Sequence, residues 1–234
     1  LKSHPLDAEH PENGAFIDLE ELNQKRIQEL ILLYANQPQK QGTLGQKIGS
    51  LYNLMMDSVR LNREGWAPLK PTLARIAAIK NTREYQIVTA ALDRNGEGTM
   101  MFGIGVDADQ RNAAWNLVNI GQGGLGLGTR DYYVSDDPDK KKVLEAYKTY
   151  LTHLFQLVGN DEAKAKSKMQ KVLDIETEIA KASYDEVKLR DVDGNYHKMS
   201  YTELVDQFPG IDWGNVMLAS GMPAIDSIDV AQPE

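Results

Sequence analysis

The chain has 234 residues, 41% of them apolar and 26% charged, enough to bury a hydrophobic core as one large domain or two small ones. Its formal net charge of -8 argues against nucleic acid as a partner, because affinity there comes from Lys and Arg that neutralise phosphates. Cysteine is absent, which excludes disulfides and thiolate metal sites, and no apolar run is long enough to span a membrane. No signal peptide is recognisable, and a start at Leu1 rather than methionine reads as a piece of a longer protein.

Residues 1–14 are polar, carry Pro5 and Pro11, and read as an extended lead-in. Asp18 is the expected N-cap of a first helix, which shows Leu19, Leu22, Ile27, Leu30 and Tyr34 at helical spacing and ends before Pro38. Residues 43–62 predict one second helix, with Leu44, Ile48, Leu51, Tyr52, Met55 and Val59 on a face and Gly65 at its end. Pro68 and Pro71 mark a break, and short helices follow over 72–80 and 82–95.

From 99 to 134 the pattern changes from helix to strand. Residues 99–106 are rich in Met, Phe, Ile and Val, and 114–120 set Trp115, Leu117 and Ile120 against Asn116 and Asn119. The polar run 107–111 between them can turn, which predicts an antiparallel hairpin. Gly121-Gln-Gly123-Gly-Leu-Gly126 then matches the G-x-G-x-x-G pattern of dinucleotide binding. That pattern requires a helix opening on the glycines, and the chain reaches Pro138 with no room for one, so the glycines read as a structural loop.

Two long helices are predicted over 139–158 and 162–184, joined by Gly159-Asn160 and therefore packed antiparallel. Ser200-x-x-Glu203 is a capping box for a short helix to Phe208, and Asp212-Trp213 opens another. The tail from Ile225 starts as a strand. The expected fold class is mainly α: a helical domain over 1–234 with an embedded antiparallel β-hairpin.

Phe102-Gly103-Ile104-Gly105-Val106, Asp109, Asn112, the run Gln122–Leu127 and Arg130-Asp131-Tyr132-Tyr133, in this order, resemble the neprilysin and endothelin-converting-enzyme family of zinc metallopeptidases. Gly128 departs from it, since the family usually has proline there. The resemblance extends to Gly14-Ala15-Phe16, Ile48–Tyr52 with Met56-Asp57, Pro68-Leu69, and Leu173-x-x-Glu176-x-x-Ile179-Ala180. It continues through Arg190-Asp191, Tyr196-His197-Lys198-Met199 (with His197 where asparagine is usual), Asp212-Trp213 and Ala231–Glu234. It implies the N-terminal section of such an enzyme, similar to the bacterial oligopeptidase-O kind.

The family's chemistry rests on a helical H-E-x-x-H pair of zinc ligands, a glutamate base between them, and a further carboxylate ligand. The four histidines here, His4, His10, His153 and His197, never stand four residues apart, so the motif is absent and no catalytic or metal residue is assigned to this chain. Asp191-Val-Asp193-Gly194-Asn195 hints at a calcium loop, but the spacing of glycine and glutamate is wrong for an EF-hand. Asp107 and Asp109 are explained by turn chemistry.

The resemblance implies a zinc metalloendopeptidase as the parent, acting on peptide substrates, with zinc held outside this chain by a missing C-terminal catalytic part. It also implies a place outside the cytoplasm, in the periplasm or cell envelope. In the family the phenylalanine matching Phe16 lines the apolar pocket for a substrate side chain; plain core packing is the alternative for Phe16. Glu12 and Glu20 stand where some members carry arginines that grip a peptide carboxylate, which leans toward cleavage of internal bonds. The rival reading is a non-catalytic helical module that binds peptide or protein.

Overall fold

A computed structural model describes residues 14–98 and 101–232. Outside them lie most of the lead-in, with His4, His10 and Glu12, the first two residues of the expected hairpin, and Pro233-Glu234. By contact the chain divides into two units, residues 1–68 and 69–234.

The first unit holds α1 (Ala15–Asn36), α2 (Leu44–Met56) and α3 (Ser58–Glu64). Helix α1 starts three residues before the expected cap. Gly14 is its N-cap and accepts from the Asp18 amide at 3.0 Å, while Asp18 sits in the first turn, where its charge suits the helix dipole. Helices α1 and α2 pack against each other at Gly49, where an added Cβ would run into the Tyr34 carbonyl, so the two backbones approach as only glycine allows. One turn on, the Asn53 side chain donates to the Ala35 carbonyl at 3.1 Å.

The single helix expected over 43–62 is two helices. Asp57 leaves the helical region with ψ 77°, and its carboxylate accepts the Arg60 amide at 2.9 Å as the N-cap of α3. A short polar side chain that bonds its own backbone competes with the helix, and here it wins although the apolar pattern runs through in phase.

The second unit opens with α4 (Lys70–Ala77) and α5 (Thr82–Arg94), the latter capped by the Asn81 side chain. The predicted hairpin follows as β1 (Phe102–Asp109) and β2 (Asn112–Gln122), antiparallel, with Phe102 opposite Gln122 and Val106 opposite Val118. Short α6 (Asp131–Val134) leads to α7 (Pro138–Leu157) and α8 (Glu162–Ala182), which pack together, and then to α9 (Glu186–Leu189). The chain ends with β3 (Lys198–Ser200), α10 (Tyr201–Gln207) with both bonds of its capping box, α11 (Trp213–Ser220) and β4 (Ser227–Val230).

The hairpin is therefore half of a four-stranded sheet, ordered β1-β2-β4-β3, in which β2 and β4 are parallel. Mainly α with embedded strands holds, and the sheet is larger than a hairpin. One of its faces carries Phe102, Ile104, Val118, Ile120, Ile228 and Val230 and packs on Leu204 of α10 and Trp213 and Met217 of α11. Phe102 and Trp213 rings lie 5.8 Å apart, and the Trp213 indole donates to the Phe208 carbonyl at 3.1 Å, so its one polar atom is satisfied. Gln86 of α5 ties this layer down by donating to the Gly210 carbonyl and accepting the Asp212 amide.

Candidate functional site

Phe16 stands in the first turn of α1 and is 87% exposed, so it has no core position among the described residues. It heads a stripe at helical spacing, Phe16, Leu19, Ile27 and Leu30, all exposed; Leu44, Leu51 and Met55 make a similar exposed stripe on α2. In the first unit only Gly45 and Gly49 are buried among the described residues. The sequence patterned these helices for burial, and their apolar faces are bare. Apolar surface of this extent marks a place where another surface is bound. Glu20 lies one turn from Phe16 and accepts from Gln24 at 3.3 Å.

The residues of the family resemblance converge at a different place, the end of β2. The Gln122 side chain donates to the Tyr184 carbonyl at 3.2 Å and accepts the Tyr184 amide at 2.7 Å, which fastens the strand to the chain leaving α8. Beyond it the glycine loop opens no helix at Gly121–Gly126, in keeping with a structural role. Gly128 takes φ +82°, a value that proline's ring forbids, so the departure from the family pattern matches the local backbone.

Glu176 of α8 organises this loop. It is 8% exposed and accepts three hydrogen bonds, from the Tyr133 hydroxyl at 3.0 Å, the Tyr147 hydroxyl at 3.1 Å and the Gly126 amide at 3.2 Å. The Leu127 amide in turn donates to the Tyr133 hydroxyl. Burial and the Glu176 charge push Tyr147 up to about 12 and raise Tyr133 as well. Phenols held protonated against a carboxylate act as struts here. They position the loop and offer no nucleophile. The resemblance drew attention to Glu176 without its role; the usable signal was a carboxylate three residues from Leu173 and from Ile179, inside an apolar stripe.

A second network ties the hairpin tip to β3. Asp109, 3% exposed, accepts from Lys198 at 2.6 Å, from the Tyr196 hydroxyl at 2.8 Å and from the Arg111 amide at 2.9 Å. The Lys198 bond, followed by those from Arg111 and Tyr196, holds its carboxyl down at about 2. Turn chemistry accounts for the Arg111 contact alone; the rest is long-range and had no local signal.

His197 lies beside β4, with Nδ1 3.1 Å from the Val230 carbonyl, and His153 faces a shallow surface cavity walled by Glu162 and Lys166. Asp191 accepts the Gly194 amide at 3.0 Å and closes a tight turn. Among the described residues no group of three or more His, Asp or Glu side chains is placed to hold a metal ion, so these residues do not fit a zinc site.

The fold of helical layers on a small mixed sheet is shared with known peptidases. The model of peptidase family M13 matches residues 1–234. Endothelin-converting enzyme 1 of Cavia porcellus and that of Homo sapiens are each 30% identical over 223 residues, covering 91% of this chain and 28% of theirs. The cryo-EM structure of Mycobacterium tuberculosis zinc metalloprotease ZMP1 in its open state matches with TM-score 0.86 and 30% identity, over 98% of this chain and 36% of that one. The inhibitor complex of the same protein gives TM-score 0.87 over 98% and 35%. PEPO of Lactobacillus rhamnosis, 17% identical with TM-score 0.73 over 92% and 34%, shares the fold.

The chain belongs to peptidase family M13, and it corresponds to the N-terminal section of the neprilysin-like zinc metallopeptidases. It spans about 28% of the length of the curated relatives it matches.

Proposed function

We propose that residues 1–234 form the N-terminal section of a zinc metalloendopeptidase that hydrolyses peptide bonds. Zinc and the groups that work at it belong to residues outside this chain, a C-terminal catalytic part against which the bare stripes of α1 and α2 pack. Phe16 lines the pocket for a substrate side chain, and Glu20 beside it disfavours a substrate's terminal carboxylate, so internal bonds are cut. The enzyme works outside the cytoplasm; among the described residues no helix is long and apolar enough to cross a membrane, and cell fractionation with a cytoplasmic marker tests the location.

The observation that carries this reading is the family match over residues 1–234 in a chain whose amphipathic helices leave their apolar faces exposed. The test is Phe16→Ala in the intact enzyme, with kcat/KM measured on two peptides that differ only at the position the pocket receives. A pocket role shifts the selectivity ratio by about 10–200-fold, the range for a side-chain contact of about 1–3 kcal/mol. An unchanged ratio removes Phe16 from the pocket.

A further inference from the structure

The sheet face away from the core is poor in side chains. Gly103, Gly105 and Gly121 contribute none, and beside them Asn119 and Asp229 are register partners on β2 and β4. Above this face lies a cavity of about 300 Å3, bordered on one side by Asp109 and Tyr196 of the second network; Asp107, Asn119, Asp229 and Gln232 are among its other walls. That volume sits at the lower end of the range of about 300–1,000 Å3 for small-molecule pockets.

Its charge is unbalanced. Asp229 is 6% exposed, and among the described residues its carboxylate accepts one hydrogen bond, from the His197 amide to Oδ1 at 2.7 Å. The cation directly across the strand pair, Lys198, is committed to Asp109 at 2.6 Å. The Asp107 carboxylate accepts the Ala108 amide, and among the described residues Asp107 has no ion pair and the Asn119 side chain no hydrogen bond. A buried carboxylate without a counter-charge is costly unless something compensates it.

We propose that this cavity binds the ammonium head of a primary amine, as carried by a lysine side chain or a free alkylamine. An ammonium has three donors and no acceptor, and the walls offer it acceptors in the second oxygen of Asp229, the Asp107 carboxylate and the Asn119 amide oxygen. A guanidinium is the poorer fit. It prefers both oxygens of one carboxylate, and Asp229 has already given one of its own to the backbone.

The experiment is an NMR titration of the chain with n-butylamine, n-butylguanidine, n-butanol and calcium, following the Gly121 amide and the Asn119 and Gln232 side-chain amides. A lysine-containing peptide is added in a separate arm. Butylamine is expected to give saturable shifts with Kd on the order of 1 mM, butylguanidine weaker ones, and butanol none. Asp229→Asn abolishes the response. Because Asp229 also holds the His197 amide, Asp107→Asn at the exposed rim is the safeguard: it weakens binding several-fold and leaves the melting temperature unchanged. Shifts with the peptide as well as the free amine assign the cavity to basic side chains, and shifts with the free amine alone assign it to small amines. No saturable shift, equal shifts with butanol, tighter binding of calcium, or indifference to Asp107→Asn overturns the proposal.

Discussion

Replacing Glu176 by alanine removes the acceptor of three hydrogen bonds at 3.0, 3.1 and 3.2 Å and strands two tyrosine hydroxyls and the Gly126 amide. A hydrogen bond to a charged group contributes about 1.5–3 kcal/mol, and a stranded buried donor costs about 1–3 kcal/mol. Tyr133 and Tyr147 are half-buried, so their hydroxyls recover part of this from water, and the low end applies. The expected loss is about 3 kcal/mol, or about 6–12 °C in melting temperature at the 2–4 °C per kcal/mol typical of domains this size. Glu176→Gln keeps one acceptor oxygen and is expected to lose about half as much.

The decisive assay is urea denaturation of Glu176→Ala, Tyr133→Phe and the double variant. Members of one network do not add, so the double variant should recover about 1–2 kcal/mol relative to the sum. A loss below about 1 kcal/mol for Glu176→Ala, or strict additivity, refutes the claim that this glutamate holds the loop.

Gly49→Ala places a Cβ against the Tyr34 carbonyl, which is backbone and cannot swing away; a loss of about 1–3 kcal/mol is expected, read as a lower melting temperature. Phe16→Ala in this chain, by contrast, should change stability by less than about 0.5 kcal/mol, because the side chain is 87% exposed; a large drop in melting temperature would place it in a core. The phenols of Tyr133 and Tyr147 bind their protons more tightly folded than unfolded, so stability holds below pH 10 and falls as pH rises from there through about 12. Denaturation midpoints across that range should fall less steeply in Tyr133→Phe, and an equal slope contradicts the assignment.

Local signals in the sequence were enough for the long helices and the hairpin, because α7, α8, β1 and β2 each carry a period of their own. Strand β3 is three residues long, too short for a period; a strand was expected from Ile225 and β4 lies there, but its parallel pairing with β2, more than a hundred residues earlier, had no local signal. The break at Asp57 was hidden because Leu51, Met55 and Val59 stay in phase across it, while the event that ends α2 is a single side-chain bond. Glu176 was visible as a carboxylate in an apolar stripe, but its partners Tyr133 and Tyr147 are meaningful only once α6, α7 and α8 are packed. Phe16 illustrates the opposite limit. Its stripe announces burial, and no pattern within the chain says against what.

The most direct test of the account compares this 234-residue chain with the intact polypeptide that carries it. Zinc content and hydrolysis of an internally cleavable peptide are measured before and after chelation and again after zinc is restored. The account predicts that the intact protein holds zinc stoichiometrically, loses peptide hydrolysis with the metal and regains it with zinc, while the chain alone binds no zinc and cleaves nothing. Hydrolysis that survives chelation, or stoichiometric zinc with activity in the chain alone, would contradict it.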